Sequence, residues 1–212
     1  MSVTLEARIP GRTAEPRQKR ALATRANVLA AVEAIVAAEG AEAVTTTRIA
    51  EETGVAVGTI YRYFADRDAM LLETYDATVA RIITVCHGAF ETLPPDVDRN
   101  EAARGLLAVY LDAAEAIPAH PGLLAAMRRL RPVESAATGA EDRIVTEIIA
   151  PFLARFAPLA AIEPVRLRLM STVIGTLVDL YLVMPDTTDR ERVRSEIEAH
   201  VLFMLDRAAA AR

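Results

Sequence analysis

The twenty residues from Thr45 to Phe64 constrain this chain more than any other stretch. A small side chain at Ala50 lets two helices cross closely, and Gly54, four residues on, accepts the positive φ that a tight turn between them requires. A second helix then runs over about Val57 to Tyr63, with Val55 and Ile60 turned inward against the first. This is helix-turn-helix spacing, whose second helix enters a DNA major groove. Val57, Gly58, Thr59, Tyr61, Arg62 and Tyr63 are left for solvent or DNA. Thr59 and Arg62 can reach base edges, and the tyrosine hydroxyls and backbone amides can hold phosphates. The plainer alternative is a bundle in which Tyr61, Tyr63 and Phe64 are a core stripe and Arg48 and Arg62 a solvated face.

A formal net charge of −5 is awkward for a nucleic-acid binder, so its distribution matters. Residues 1–67 carry nine Lys/Arg against eight Asp/Glu, and residues 68–212 carry fifteen against twenty-one. Within residues 1–25, ahead of the helix-turn-helix, Arg8, Arg12, Arg17, Lys19, Arg20 and Arg25 are opposed by only Glu6 and Glu15. Affinity follows local phosphate neutralisation, so acidity elsewhere is no obstacle.

The pattern is helical throughout, with no alternating strand-like run, and an all-α fold of nine helices is expected. Residues 1–15 lack apolar periodicity and predict a mobile basic arm; residues 16–66 predict a three-helix head. Leu22, Val28, Leu29, Val32, Ile35 and Val36 form one helical face ending at Gly40. Thr46 is placed to cap the second helix and Asp66 the fourth, a connector over 67–91 that ends before Pro94-Pro95. Residues 67–212 then form a helical body. Asp98–Glu101 and Thr188–Glu191 have capping-box spacing, Pro121-Gly122 precedes a helix over 123–131, and 132–140 is expected to be a loop. Further helices are expected over about 141–156, 165–184 and 189–209.

Residues 25–72 resemble the TetR family of bacterial transcription regulators. Gly40, Thr46, Ile49-Ala50, Gly54-Val55, Gly58-Thr59-Ile60-Tyr61, Tyr63-Phe64, Arg67 and Leu71-Leu72 carry the resemblance. It implies that Thr45, Thr46, Thr47 and Arg48 contact phosphate or a base. Val57, Gly58 and Thr59 would face the groove, Tyr61 and Tyr63 would grip the backbone, and Arg67 would meet a phosphate. Two residues depart from the family pattern: Ala56 stands where a capping serine is frequent, and Val57 where a polar or basic side chain is. Loss of that cap costs roughly 1 kcal/mol, and Val57 offers an apolar contact such as a thymine methyl.

The body resembles the family's ligand-binding and dimerisation region in position and helix number alone. The helix over 165–184 is apolar nearly all round, so it must be covered on more than one side. Packed with the last helix against their copies, it would make a four-helix dimer interface, and a dimer is what two operator half-sites require. A pocket is expected between the connector and the body, with candidate linings Cys86, Phe90, Tyr110, Met127, Phe152, Phe156, Met170 and Thr172. Each of these could equally be plain core. Asp179, alone in an apolar helix, would be costly unpaired; it is expected either to hydrogen-bond across the dimer interface or to hold a polar or cationic ligand group.

No metal or cofactor is expected, because His87, His120 and His200 are scattered and Cys86 is a lone cysteine. No nucleophile elbow or phosphate loop marks an enzyme. The longest apolar run, Leu169 to Met184, is broken by Asp179 and short of a membrane span of roughly 20 residues. The sequence thus implies a cytoplasmic, homodimeric, ligand-responsive repressor of double-stranded operator DNA with a small apolar effector. The rival is a DNA-binding adaptor or activator whose body binds another protein.

Overall fold

The computed structural model describes residues 14–131, 143–156, 164–184 and 187–210. Among them there are nine helices and no strand: α1 (Ala14–Glu39), α2 (Thr46–Thr53), α3 (Val57–Tyr63), α4 (Arg67–Glu91), α5 (Arg99–Glu115), α6 (His120–Leu130), α7 (143–156), α8 (Pro164–Val183) and α9 (Thr187–Ala210). The expected basic arm lies outside the described residues except for Ala14 and Glu15, which already belong to α1; the loop expected over 132–140 lies wholly outside them.

Local chemistry sets most of the boundaries. The side chain of Asp66 accepts from Ala69 N at 2.7 Å and starts α4, and Asp98 accepts from Asn100 N and Glu101 N and starts α5. At α2 the capping oxygen belongs to Thr45, which accepts from Arg48 N at 3.1 Å; Thr46, the expected cap, is the first helical residue. α6 begins at His120, three residues earlier than expected. Pro121 costs nothing in a first turn, where its missing N–H has no partner to lose.

Within α7 a proline leaves a visible defect. Pro151 has no N–H to give to the carbonyl four residues back, on Glu147. The helix widens to a π-turn over Val145–Ile149, in which Ala150 N donates to Val145 O. The carbonyl of Glu147 accepts instead from Nε2–H of His87 on α4, at 2.8 Å.

One apolar cluster runs from Val28, Val32, Ile35 and Val36 of α1, through Met70, Tyr75, Val79, Ile82 and Ile83 of α4, to Val178, Ile197 and Leu205 of α8 and α9. α4 packs against α1 on one side and against α5, α6 and the π-turn of α7 on the other. Ion pairs fasten α5 along α9: Arg99–Asp206, Arg104–Glu198, Asp112–Arg194 and Glu115–Arg190. By length and mean hydropathy Gln18–Glu39 could cross a membrane. Its apolar side is instead part of the core, and Arg25 and Glu33 on its flank pair with Glu73 and Arg81 of α4.

Candidate nucleic-acid interface and body cavity

The turn between α2 and α3 has the geometry its sequence requires. Gly54 lies at φ 68°, in the left-handed region, and its N–H closes α2 on Ala50 O at 2.9 Å. Ile49 and Ile60 are fully buried beneath it, with Val55 packed at the edge. Burial of Ile60 fixes the rotation of α3 about its axis, since residues one and two places away point elsewhere. Val57, Gly58, Tyr61 and Arg62 are exposed on one face of α3, whereas Thr59 and Tyr63 are half-buried at its margins and Phe64 is core. Ala56, at the N-cap of α3, makes no side-chain capping bond.

α2 contributes its N-terminal end to the same surface. Thr45 and Thr47 are exposed, and the Thr46 hydroxyl lies 3.4 Å from the Tyr61 hydroxyl, joining the start of α2 to the outer face of α3. The unpaired amides of a helix's first turn favour an anion there. Arg62 lies over the Tyr63 ring at 5.2 Å. Arg20 and Thr24 of α1 border the same shallow hollow as Arg62 and Tyr63, a placement that α1's own periodicity does not reveal.

Two arginines are more committed than the sequence suggests. Arg48 pairs with Glu39 at 3.0 Å and with Glu52 at 3.1 Å. Arg67, which the resemblance puts on a phosphate, donates to Val44 O at 2.8 Å and Ala41 O at 2.7 Å, and pairs with Glu42 and Asp68. Its guanidinium clasps the short 3₁₀ turn Ala41–Ala43 to the start of α4, with two bonds to backbone carbonyls and two to neighbouring carboxylates, all within the head and the first turn of α4.

The body contains a cavity of about 450 Å³ between α5, α6, α7 and α8, reached by Tyr75 of α4 and by Val201 and Leu205 of α9. Tyr110, Phe152, Met170, Thr172 and Asp179 border it. Cys86 and Met127 are instead buried in the core away from it, and burial pushes the Cys86 thiol up to about 11, an inert thiol. Phe90 and Phe156 flank Arg155, which also donates to Leu93 O and Pro94 O; that cluster closes the end of α4. Asp179 forms an ion pair with Arg128 of α6 at the cavity wall, a third outcome beside the two expected for it. Arg128, Tyr75 and the isoleucines of the π-turn were not singled out from the sequence. Arg128 lies in a run, Arg128-Arg129-Leu130-Arg131, that looks like ordinary last-turn charge.

Next to this cavity His120 is buried at the start of α6. Its ring stacks on Tyr75, with centroids 5.7 Å apart, and its Nδ1 lies 3.0 Å from the Thr78 hydroxyl. That hydroxyl donates its one proton to Tyr75 O at 2.7 Å, so it accepts from His120, whose proton therefore sits on Nδ1. Burial, and secondarily the Arg81 charge, push the imidazole down to about 4. No cluster of three or more His, Cys, Asp or Glu that could hold a metal occurs among the described residues.

Residues 28–74 match the family model for bacterial regulatory proteins of the tetR family. Solved structures of similar fold include a TetR transcriptional regulator from Rhodococcus sp. RHA1, at TM-score 0.62 and 16% identity over 87% of this chain and 96% of that one. Others are the TetR family repressor AlkX from Dietzia sp. strain DQ12-45-1b, at 0.58 and 17% over 86% and 95%, and BioQ of Mycobacterium smegmatis, at 0.58 and 18% over 89% and 99%. At these identities the likeness establishes the fold. No curated protein sequence matches.

Proposed function

We propose that this chain, a DNA-binding transcription regulator with a TetR-family head, works as a homodimeric repressor released from its operator by a small, largely apolar effector. The observation that carries the sensor reading is the cavity of about 450 Å³. It falls in the size range of small-molecule sites, and a body serving only as a protein-binding adaptor would need none.

The exposed face of α3 supports major-groove reading by Val57, Gly58, Tyr61 and Arg62, with Thr59 at its edge. Thr45, Thr46, Thr47 and the hydroxyls of Tyr61 and Tyr63 suit phosphates, as do Arg20 and Arg62. Arg48 can join them by exchanging an acidic partner for a phosphate. Arg67 holds the head to the connector and acts on DNA through the position of α2.

Dimerisation is supported by an apolar stripe along α8. Val165, Leu169, Val173, Leu180 and Val183 are exposed on it, with Phe203 exposed on α9. Two such helices and their copies would close a four-helix interface of the kind that cores use.

Coupling between cavity and head has two physical routes. α4 runs from Arg67 at the head to Tyr75 at the cavity, held to α1 by Arg25–Glu73 and Glu33–Arg81. The last turn of α6 sends Arg128 to Asp179, Arg129 to Glu42 in the head and Arg131 to Asp76 of α4. A ligand that shifts either helix changes the spacing of two heads, and the coupling energy sets the induction.

The test begins with operator sequences selected from random DNA and continues with effector-driven release measured by anisotropy. Tyr61→Ala or Arg62→Ala should weaken operator binding with the oligomer unchanged; undiminished affinity removes α3 from the groove. Gly175→Leu places a side chain into the cavity from α8, where a Cβ meets nothing within 4 Å. It should keep operator affinity and lose release, and continued release would refute the cavity as sensor.

A further inference from the structure

We propose that Val57 selects thymine: its side chain packs on the C5-methyl of a thymine in each operator half-site, and Gly58 permits the close approach. This rests on the reading of α3 as the groove helix and adds which base it prefers.

A recognition helix meets base edges with its first residues, which in α3 are Val57, Gly58 and Thr59. Thr59 is half-buried and Gly58 has no side chain, so the exposed side chain among them is that of Val57. Ala56, just ahead of it, is exposed and apolar as well. The polar groups of α3 lie toward its flanks. The Tyr61 hydroxyl is 3.4 Å from the Thr46 hydroxyl of α2, and Arg62 lies over Tyr63 beside Arg20 of α1.

Valine has no hydrogen-bonding group to offer a base. In the major groove guanine, adenine and cytosine present acceptors or amino donors, whereas thymine presents a methyl beside its O4. A valine pressed on any of the first three strips water from a polar edge and returns no bond, which is unfavourable. Against the thymine methyl it removes apolar surface from water on both sides.

Gly58 is the second observation. Its φ is not positive, and a Cβ built there meets nothing within 4 Å. Neither the backbone nor the packing of the chain calls for glycine, and glycine weakens a helix relative to alanine. The space it leaves is on the outer face beside Val57. A surface that comes close there brings a side chain as short as valine within reach of a base.

The experiment uses the full chain and the operator selected from random DNA, with affinity read by anisotropy. Each thymine that selection fixes is replaced in both half-sites by deoxyuridine, which pairs alike and lacks only the methyl. At one such position binding should weaken about tenfold, the methyl counting twice in a dimer. Deoxycytidine there should bind weakly, and 5-methyldeoxycytidine should regain part of the loss. Val57→Thr keeps the shape and a methyl, and should preserve the discrimination; Val57→Ser should bring the thymine-to-uracil ratio close to one. Gly58→Ala should match or exceed the parent in thermal stability and bind the operator at least about tenfold more weakly. Uracil tolerated at every position, or a half-site with no fixed thymine, overturns the inference and leaves α3 in the groove. An unchanged ratio in Val57→Ser, or undiminished binding by Gly58→Ala, overturns it too. Selection of no sequence at all removes the groove reading, and the inference with it.

Discussion

His120 shows how far one buried side chain can set a solution property. Its imidazole is 1% exposed, stacked on Tyr75 and donating to Thr78, and its folded value near 4 lies below the ordinary 6.5. Between those two values the unfolded chain holds a proton that the folded chain refuses. Stability from this group is therefore complete above pH 6.5 and is lost as pH falls toward 4, by about 3 kcal/mol over the window. His120→Asn keeps an N–H donor near Nδ1 and cannot titrate. Its denaturant-measured stability should lack about one proton's worth of pH slope relative to the parent between pH 6.5 and 4; equal slopes would remove His120 as the source. Periodicity places no such group, because a histidine on a helix face looks the same whether water or a threonine awaits it. Arg67 teaches the same lesson in reverse. The family resemblance puts it on a phosphate, and only the fold reveals the carbonyls of Ala41 and Val44 in reach.

At the scale of elements, α6 is the helix whose role the sequence least foretells. It begins earlier than Pro121-Gly122 suggests, because proline is harmless in a first turn and Gly122 is needed inside the helix. A Cβ at Gly122 would stand 2.8 Å from Cγ1 of Val36 on α1. Val36 is buried and β-branched, with one strongly favoured rotamer in a helix, so it cannot swing away. Gly122→Ala should cost about 1–3 kcal/mol by overpacking despite alanine's better helix propensity, and should alter operator affinity by moving α6 against the head. A stability gain in thermal unfolding would show that α6 and α1 are not in close contact. The π-turn of α7 has a cause legible in sequence, Pro151, but its rescue by His87 sixty residues away is not. By contrast α3 and α4 fall where spacing and the Asp66 cap place them, because each is decided within a few residues.

For the whole molecule, the proposed dimer rests on the exposed apolar stripe on α8 and on Phe203 of α9. Leu169 and Phe203 are 62% and 58% exposed, so charging them disturbs little of the protomer's own core. Leu169→Glu with Phe203→Glu should sediment as a folded monomer and bind a two-half-site operator far more weakly. The parent should remain a dimer, its heads about 34–36 Å apart or a multiple of that on DNA. A dimer unaffected by both substitutions would move the interface elsewhere.

The sequence by itself determined the helical class, the helix-turn-helix and most of its neighbours' boundaries. These depend on local terms: apolar period, a capping oxygen, a glycine that tolerates positive φ. It also marked 165–184 as apolar nearly all round; in the structure this helix packs on α5, α6 and α9 and leaves one apolar stripe exposed. Tertiary structure decided what meets across the chain: Asp179 with Arg128, Arg67 with the head's carbonyls, His120 with Thr78, and five of the nine pocket candidates at the cavity with the rest elsewhere. Such meetings depend on how helices far apart in sequence rotate and cross. An apolar face marks only that a side chain turns inward, and the partner it finds there is chosen by the packing.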